Sequence, residues 1–557
     1  MASQSYNKKI LLFFLTIVTL ISLSYLGLVT IKAYNSNPIE IISLCGKSHD
    51  LTSCLALINE AIFPNELETT SFSSDDGRKM LGKILSKHAL DINKVIYGTK
   101  LSNVHTKSDQ AISDCLELMD LSHERVFDSI KILAKNIKNN NKNKYYYEQN
   151  DDINIRTWLS AVLTNHVTCL DQLENESHLL GLKSKVEDLI QKGRALLSIH
   201  AKVCVKDLGG GENFGRKIRN GQLYPSWLRR SDRKLLGVSG SDVVADVVVA
   251  KDGSGNFTTV AEAVASAPDK GKNRYVIYVK EGVYVENIEV GKKKKNVMMV
   301  GDGMNLTIIT GSENVFDGNT TFRSATLAAV GERFILQDIC IQNTAGPEKH
   351  QAVALRVGAD QSVINRCKLD AYQDTLYAHS LRQFYTNSLI TGTVDFIFGN
   401  AAVVFQNCQL VARKPMTSQK NMVTAQGRTD PNQNTGTSIQ YCDIVASADL
   451  EPVTAQFPTF LGRPWKNFSR TVVMQSNIGD LIDPAGWSKW DGDFALDTLY
   501  YAEYMNSGPG SDTSMRVNWT GYHILNDPSE AKPFTVGEFI QGQEWLDEAG
   551  VTFVEGL

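Results

Sequence analysis

The sequence has little net charge: 57 Lys and Arg against 61 Asp and Glu leave −4 over 557 residues. A chain so balanced lacks the basic footprint of a nucleic-acid partner. It also lacks a His/Cys cluster with metal-ligand spacing. Nothing in its make-up suggests a disordered or fibrous chain, because 42% apolar and 21% charged residues are ordinary for globular protein. At roughly 100–200 residues per domain, the length calls for two or more domains. The even balance hides an asymmetry. From Gly237 to the end, 26 basic and 36 acidic residues leave ten negative charges in excess, and the rest of the chain is correspondingly basic.

Charge is wholly absent from Ile10 to Ile31, with Lys8, Lys9 and Lys32 on the flanks. At about 1.5 Å per residue, such a helix reaches across a bilayer core. No face of the run is polar, which excludes a buried soluble helix. A clean small-x-small cleavage site is missing too, so a signal anchor is favoured over a long signal peptide. Either way the chain enters the secretory path and meets a membrane only through this segment. Six N-x-S/T sequons, at Asn175, Asn256, Asn305, Asn319, Asn467 and Asn518, are glycosylation candidates there. The nine cysteines then become readable as a disulfide framework.

Four segments follow. Residues 1–36 are a cytosolic tail with the signal segment. Residues 37–208 read as a helical domain, since Ile112, Leu116, Met119, Val126, Ile130, Leu133 and Ile137 recur at helical steps, as do Ile155, Leu159, Val162, Cys169 and Leu173. Asn136 to Asp152, rich in Asn, Lys and Tyr, reads as a polar loop. Five cysteines lie here, an odd number that leaves one over. Residues 209–240 are a Gly-, Arg- and Ser-rich linker with two basic pairs, Arg229-Arg230 and Arg233-Lys234, the second followed by Leu235-Leu236. Such a pair is either solvated linker charge or a processing site.

From residue 241 to 557 long helical periodicity is absent. Short apolar runs recur instead, among them Tyr275–Val279, Val297–Val300, Phe334–Ile341, Val403–Phe405 and Thr471–Met474. Gln351, Gln373 and Asp395 stand 22 residues apart, which favours a solenoid whose successive coils stack like side chains on one face. Asp374 and Asp395 on neighbouring coils would share one proton, giving an acid and a nucleophile or base. Gln351 and Gln373 have amide donors suited to an oxyanion. The alternative is a buried structural Asp395 held by Arg or backbone N–H, since a carboxylate in the run Val394–Gly399 is costly unless paired.

Five ordered motifs narrow this: Gly282-Val-Tyr-Val-Glu286, Gln351-Ala-Val-Ala-Leu355, Gln373-Asp-Thr-Leu376, Asp395-Phe-Ile-Phe-Gly399 and Leu461-Gly-Arg-Pro-Trp465. With the stretch Gln419–Gly436, they resemble the plant pectin methylesterases from about Asp246 onward. The resemblance implies a right-handed parallel β-helix that hydrolyses methyl esters of homogalacturonan, without a cofactor. It implies Asp395 as nucleophile, Asp374 as acid and base, and Gln373 with Gln351 at the oxyanion. Arg463 would orient Asp395, Trp465 would stack on a sugar, and Thr321 with Gln351 would contact substrate.

The stretch Ser160–Cys169 and the earlier cysteines resemble the pectin methylesterase inhibitor family. That implies an all-α four-helix bundle with bridges Cys45–Cys54 and Cys115–Cys169, and Cys204 left over. The catalytic half would bridge Cys340–Cys367 and Cys408–Cys442, while Ser388 stands where many relatives carry a further cysteine. The resemblance further implies secretion to the cell wall, pectin as substrate, a processing protease acting near Arg233-Lys234, and separate inhibitor proteins as partners. Two rivals stand against this reading. A pectin lyase or polygalacturonase would need a calcium carboxylate cluster or several glycosidase Asp residues, and neither set is evident. A dead esterase half would have lost Asp374, Asp395 or Arg463, and all three are present.

Overall fold

Apolar residues at helical spacing bury themselves together in the first half of the chain. The computed structural model describes residues 44–46, 48, 50–61, 74–101, 109–138, 144–174, 176–204 and 243–557. The proposed anchor at Ile10–Ile31, the linker with Arg229, Arg230 and Arg233–Leu236, and Asn175 lie outside them. No helix among the described residues is long and apolar enough to cross a membrane.

Among the described residues, five α-helices form the N-terminal part: α1 (Leu51–Ala61), α2 (Ser74–Leu101), α3 (Asp109–Lys138), α4 (Lys144–Gln172) and α5 (Leu180–Val203). Asp50 starts α1 by accepting from the backbone N–H groups of Thr52 (2.9 Å) and Ser53 (3.1 Å), which satisfies donors that a helix start leaves open. Met119, Val126 and Leu133 of α3 face Ile155, Leu159 and Val162 of α4 in one buried cluster. Disulfides Cys45–Cys54 and Cys115–Cys169 are formed as expected, the second stapling α3 to α4.

The polar stretch Asn136–Asp152 is not a loop throughout. Helix α4 already runs from Lys144, and Asp152 is buried where Arg78 of α2 grips it with two hydrogen bonds (2.8 and 2.6 Å). A polar helical turn is stable here because its charge has a fixed partner.

From residue 243 the chain coils into a parallel β-helix of three sheets, with 11, 7 and 8 strands. Each coil gives one strand to each sheet, as with Leu376–Ala378, Arg382–Thr386 and Leu389–Gly392. Every named ladder pair around them is parallel. Leu327, Leu355, Leu376 and Ile397 stack in register and fill the interior. Corner residues at equivalent positions take a left-handed conformation, for example Asp338, Arg366, Asn387 and Asn407 (φ 50 to 56°). Amide side chains ladder along the stack, Asn365 to Gln337 (2.9 Å) and Gln406 to Gln440 (2.9 Å). The one helix at the start of this half, α6 (Val260–Ser266), is capped by Glu286, whose two oxygens accept from Val260 and Ala261 N–H (3.0 and 2.9 Å). Glu286 of the first motif is therefore a structural group.

Two disulfide expectations are corrected. Cys340, Cys367, Cys408 and Cys442 are free thiols. Cys340 pairs in register with Lys368, so Cys367 is one residue out of step. Alternation then turns Cys367 into the core and Cys340 away from it. Cys408 and Cys442 do stack on adjoining coils, and Cys408 N–H donates to Cys442 Sγ (3.4 Å). In-register parallel neighbours keep their Cβ atoms about 4.8 Å apart, wider than the roughly 3.8 Å of a disulfide. Protein unfolded without reductant and alkylated should take label at Cys340, Cys367, Cys408 and Cys442. A Cys408–Cys442 cross-link in the peptide mass map would contradict this.

Candidate active site

Strand register brings the two aspartates together. Leu376 and Ile397 are ladder partners, and Asp374 and Asp395 each lie two residues upstream of them. Asp374 N–H donates to Val394 O (3.1 Å). The coil here is 21 residues, so Asp395 aligns with Asp374 and not with Gln373. The 22-residue interval holds one coil earlier, where Ala352 N–H donates to Gln373 O (3.2 Å) and sets Gln351 beside Gln373. Both aspartates adopt left-handed backbone (φ 63° and 50°), uncommon for a residue with a side chain. Such strain persists only where the surrounding structure enforces it.

Asp374 and Asp395 are 7% and 6% exposed. Arg463, from the strand Thr459–Pro464, forks onto Asp395 through Nε (2.8 Å) and Nη2 (2.7 Å). Its guanidinium also lies over the Trp490 ring, 4.4 Å from the centroid. Burial and the neighbouring charge of Asp395 push Asp374 well above the usual carboxylate range, with Arg463 opposing. Burial raises Asp395 as well, and the two bonds from Arg463 offset only part of that rise, so it stays above the ordinary carboxylate value. The pair therefore divides into one carboxyl that keeps its proton and one carboxylate fixed by a cation. Gln351, Gln373, Thr321 and Trp465 are half-buried.

The seven-stranded sheet turns a second row outward. Ala328, Arg356, Tyr377, Phe398, Ala425 and Arg463 are successive ladder partners. Their chain neighbours Leu355, Val357, Leu376 and Ala378 point into the core. Tyr377 stacks on Phe398 at 4.2 Å, and Trp465 meets Phe398 edge-on at 5.9 Å. Gly427 permits this, since a Cβ there would stand 2.8 Å from the Trp465 ring. The sequence reading missed Phe322, Tyr377, Phe398 and Trp490. Alternation within the runs Gln373–Ala378 and Asp395–Gly399 carried the signal for Tyr377 and Phe398.

The helical bundle covers this face. Its core joins Phe322, Val353, Tyr377, Phe398 and Ala425 in one apolar cluster, with Trp465 at the edge. Polar contacts ring the cluster. Asn400 donates to Thr164 Oγ1 (2.8 Å), Gln433 to Ser160 O (3.0 Å), and Lys466 to Asp171 (2.8 Å). Thr168 Oγ1 lies 3.0 Å from His379 Nε2, and burial beside Arg356 lowers that histidine to about 3, so it stays neutral. Arg323 pairs with Asp114 and Glu117 of α3. Ser160, Thr164 and Thr168 fall in the stretch Ser160–Cys169 that carried the inhibitor resemblance. Of the sequons, Asn256, Asn305, Asn467 and Asn518 are exposed, while Asn319 is half-buried and accepts from Gln110 of α3 (3.1 Å).

The comparisons agree with both halves. The pectinesterase family matches residues 246–543, and the plant invertase/pectin methylesterase inhibitor family matches residues 40–204. Pectinesterase 1 of Solanum lycopersicum is 56% identical over 518 residues, covering 92% of this chain and 91% of its own. Pectinesterase/pectinesterase inhibitor 18 of Arabidopsis thaliana is 50% identical over 562 residues, covering 99% and 97%. The solved pectin methylesterase from carrot is 62% identical with a TM-score of 0.57, covering 57% of this chain and 99% of its own. With that coverage and this cleft, the chain belongs to the pectinesterase family, as a pectin methylesterase joined to an inhibitor-like domain.

Proposed function

We propose that Asp395 is the nucleophile and Asp374 the acid and base in hydrolysis of galacturonate methyl esters. One observation carries this reading: Arg463 forks onto one carboxylate and leaves the other to hold a proton. Asp395 attacks the C6 carbonyl carbon, and the carbonyl oxygen becomes an oxyanion. Amide N–H groups of Gln351 and Gln373 donate to it. Asp374 gives its proton to the methoxy oxygen as the C–O bond breaks, and methanol leaves. Asp374, now ionised, takes a proton from water, whose oxygen attacks the acyl carbon joined to Asp395. Collapse frees the galacturonate carboxylic acid and restores Asp395. Trp465 and Thr321 contact neighbouring sugar rings, and no metal or cofactor enters.

The bundle acts as an internal inhibitor. The support is steric: the helices pack on the row that flanks Asp374 and Asp395. Cleavage after Leu236 by a protease reading Arg233-Lys234 would cut the covalent link between the halves. Related free inhibitor proteins would be expected to dock on the same face of the released enzyme. The path is secretory, from a membrane-held precursor anchored at Ile10–Ile31 to a wall enzyme carrying glycans at exposed sequons.

Asp395→Asn keeps the size but removes the attacking charge, and Asp374→Asn removes the transferable proton. Each should cut methanol release from highly methylated pectin by about 10²–10⁴-fold or more, in the fragment beginning at Gly237. Near wild-type release by folded Asp395→Asn, with folding read by circular dichroism, would refute the assignment.

Stability gives an independent check. The raised Asp374 means the folded state holds a proton that the unfolded chain gives up. Native stability therefore falls as pH rises through and above the ordinary carboxylate value. Asp374→Asn escapes that loss, so its melting temperature should exceed wild type at neutral pH. The gap should close below about pH 3.8. A variant equally or less stable at neutral pH would contradict the shift. For the precursor, changing Arg233 and Lys234 to Ala should leave one uncut, inactive chain inside secreting cells. Export of uncut and fully active enzyme would refute the processing reading.

A further inference from the structure

Two side chains of metal-ligand type stand at the end of α5. His200 and Cys204 are four residues apart, so they share one face of the helix. Asp152 of α4 meets them there. One ligand atom from each of the three lies within 4.8 Å of the other two. The sequence shows only a pair at this place, because the third member comes from another helix.

His200 is fully buried, and neither ring nitrogen has a hydrogen-bond partner. A buried imidazole left so is costly. Burial, with Arg156 and Arg78 nearby, lowers it to about 3, so it stays neutral, which is the form that binds metal. Asp152 is buried too, and Arg78 fixes its orientation through two hydrogen bonds (2.8 and 2.6 Å). A carboxylate has about four lone-pair sites, so Asp152 can hold Arg78 and still coordinate an ion. Cys204 is half-buried and stands outside the two disulfides of the bundle. Its N–H donates to His200 O (2.9 Å) and closes α5, at the helix end where the backbone dipole favours a cation.

An imidazole nitrogen, a thiolate sulfur and a carboxylate oxygen together suit zinc, and they do not suit magnesium or calcium. Around a tetrahedral zinc ion, ligand atoms stand about 3.3–3.8 Å apart, so shifts of about an ångström would close these three on it. Thiolate and carboxylate cancel the two charges of the ion, the thiol proton passes to solvent, and water completes the fourth position.

We infer that Asp152, His200 and Cys204 form a zinc site that clamps the end of α5 to α4. Helix α4 presents Ser160, Thr164 and Thr168 to the catalytic half, and α5 leads in sequence to the linker. The clamp therefore joins the covering helix to the one that precedes the basic pairs. The ion is structural, and no step of ester hydrolysis passes through it.

The test uses the uncleaved chain, stripped with a chelator and titrated with Zn²⁺ alone. About one ion per chain should bind. Co²⁺ in its place should give the charge-transfer absorption of a sulfur ligand. Cys204→Ser should abolish that absorption. It should also weaken Zn²⁺ binding by more than the roughly 10–100-fold that loss of a merely orienting partner costs. His200→Gln should weaken binding as much. Saturating Zn²⁺ should raise the melting temperature of wild type by about 5 °C or more and leave that of Cys204→Ser unchanged. Absence of binding, or equal binding by wild type and the two variants, overturns the site. If a variant does not fold, alkylation of wild type decides. Zn²⁺ must slow labelling of Cys204, read by peptide mass mapping, and an unchanged rate overturns the site as well.

Discussion

Parallel register holds the catalytic half together. Each strand is bonded to its equivalent one coil away, so a residue's position in one coil fixes what stands beside it in the next. That constraint places Asp374 against Asp395, and it aligns Tyr377, Phe398 and Arg463 in one outward row. A shift of one residue would send the whole row inward. Leu327, Leu355, Leu376 and Ile397, packed in the interior, make such a shift costly. The interior thus fixes the chemistry without touching it. Arg463 then distinguishes two carboxyls that register alone would leave equivalent.

The bundle meets this face as if it were another domain core. Apolar cleft residues continue into the helix packing, and neutral donors and acceptors such as Asn400, Gln433, Thr164 and His379 satisfy one another around it. Ion pairs lie at the ends, Arg323 with Asp114 and Glu117, and Lys466 with Asp171. Shape and burial hold the middle, and charge fixes orientation.

Much of this was legible in the sequence. Helical spacing around Met119, Val126 and Leu133 and the short strands after residue 243 identified both architectures. The motif residues identified Asp374, Asp395 and Arg463. Register was legible only to one residue: the 22-residue interval paired Gln351 with Gln373, but a 21-residue coil moved Asp395 onto Asp374. That offset depends on backbone detail at the left-handed corners, which composition does not encode. The helix through Tyr145–Asp152 was hidden because its anchor, Arg78, lies far off in sequence. Cover of the cleft by the bundle was hidden for the same reason, since Thr168 meets His379 across 211 residues.

The two halves are joined through the chain between Cys204 and Val243. A tether raises the local concentration of one half around the other to about millimolar. A cut in that stretch breaks none of the contacts described between bundle and cleft. What it removes is the concentration. On the processing proposed above, a freshly cut enzyme would still be closed, and it would open when the bundle dissociates and is diluted away. The delay between such a cut and activity would then be set by an off-rate that belongs to Phe322, Tyr377, Phe398 and their ring of polar partners.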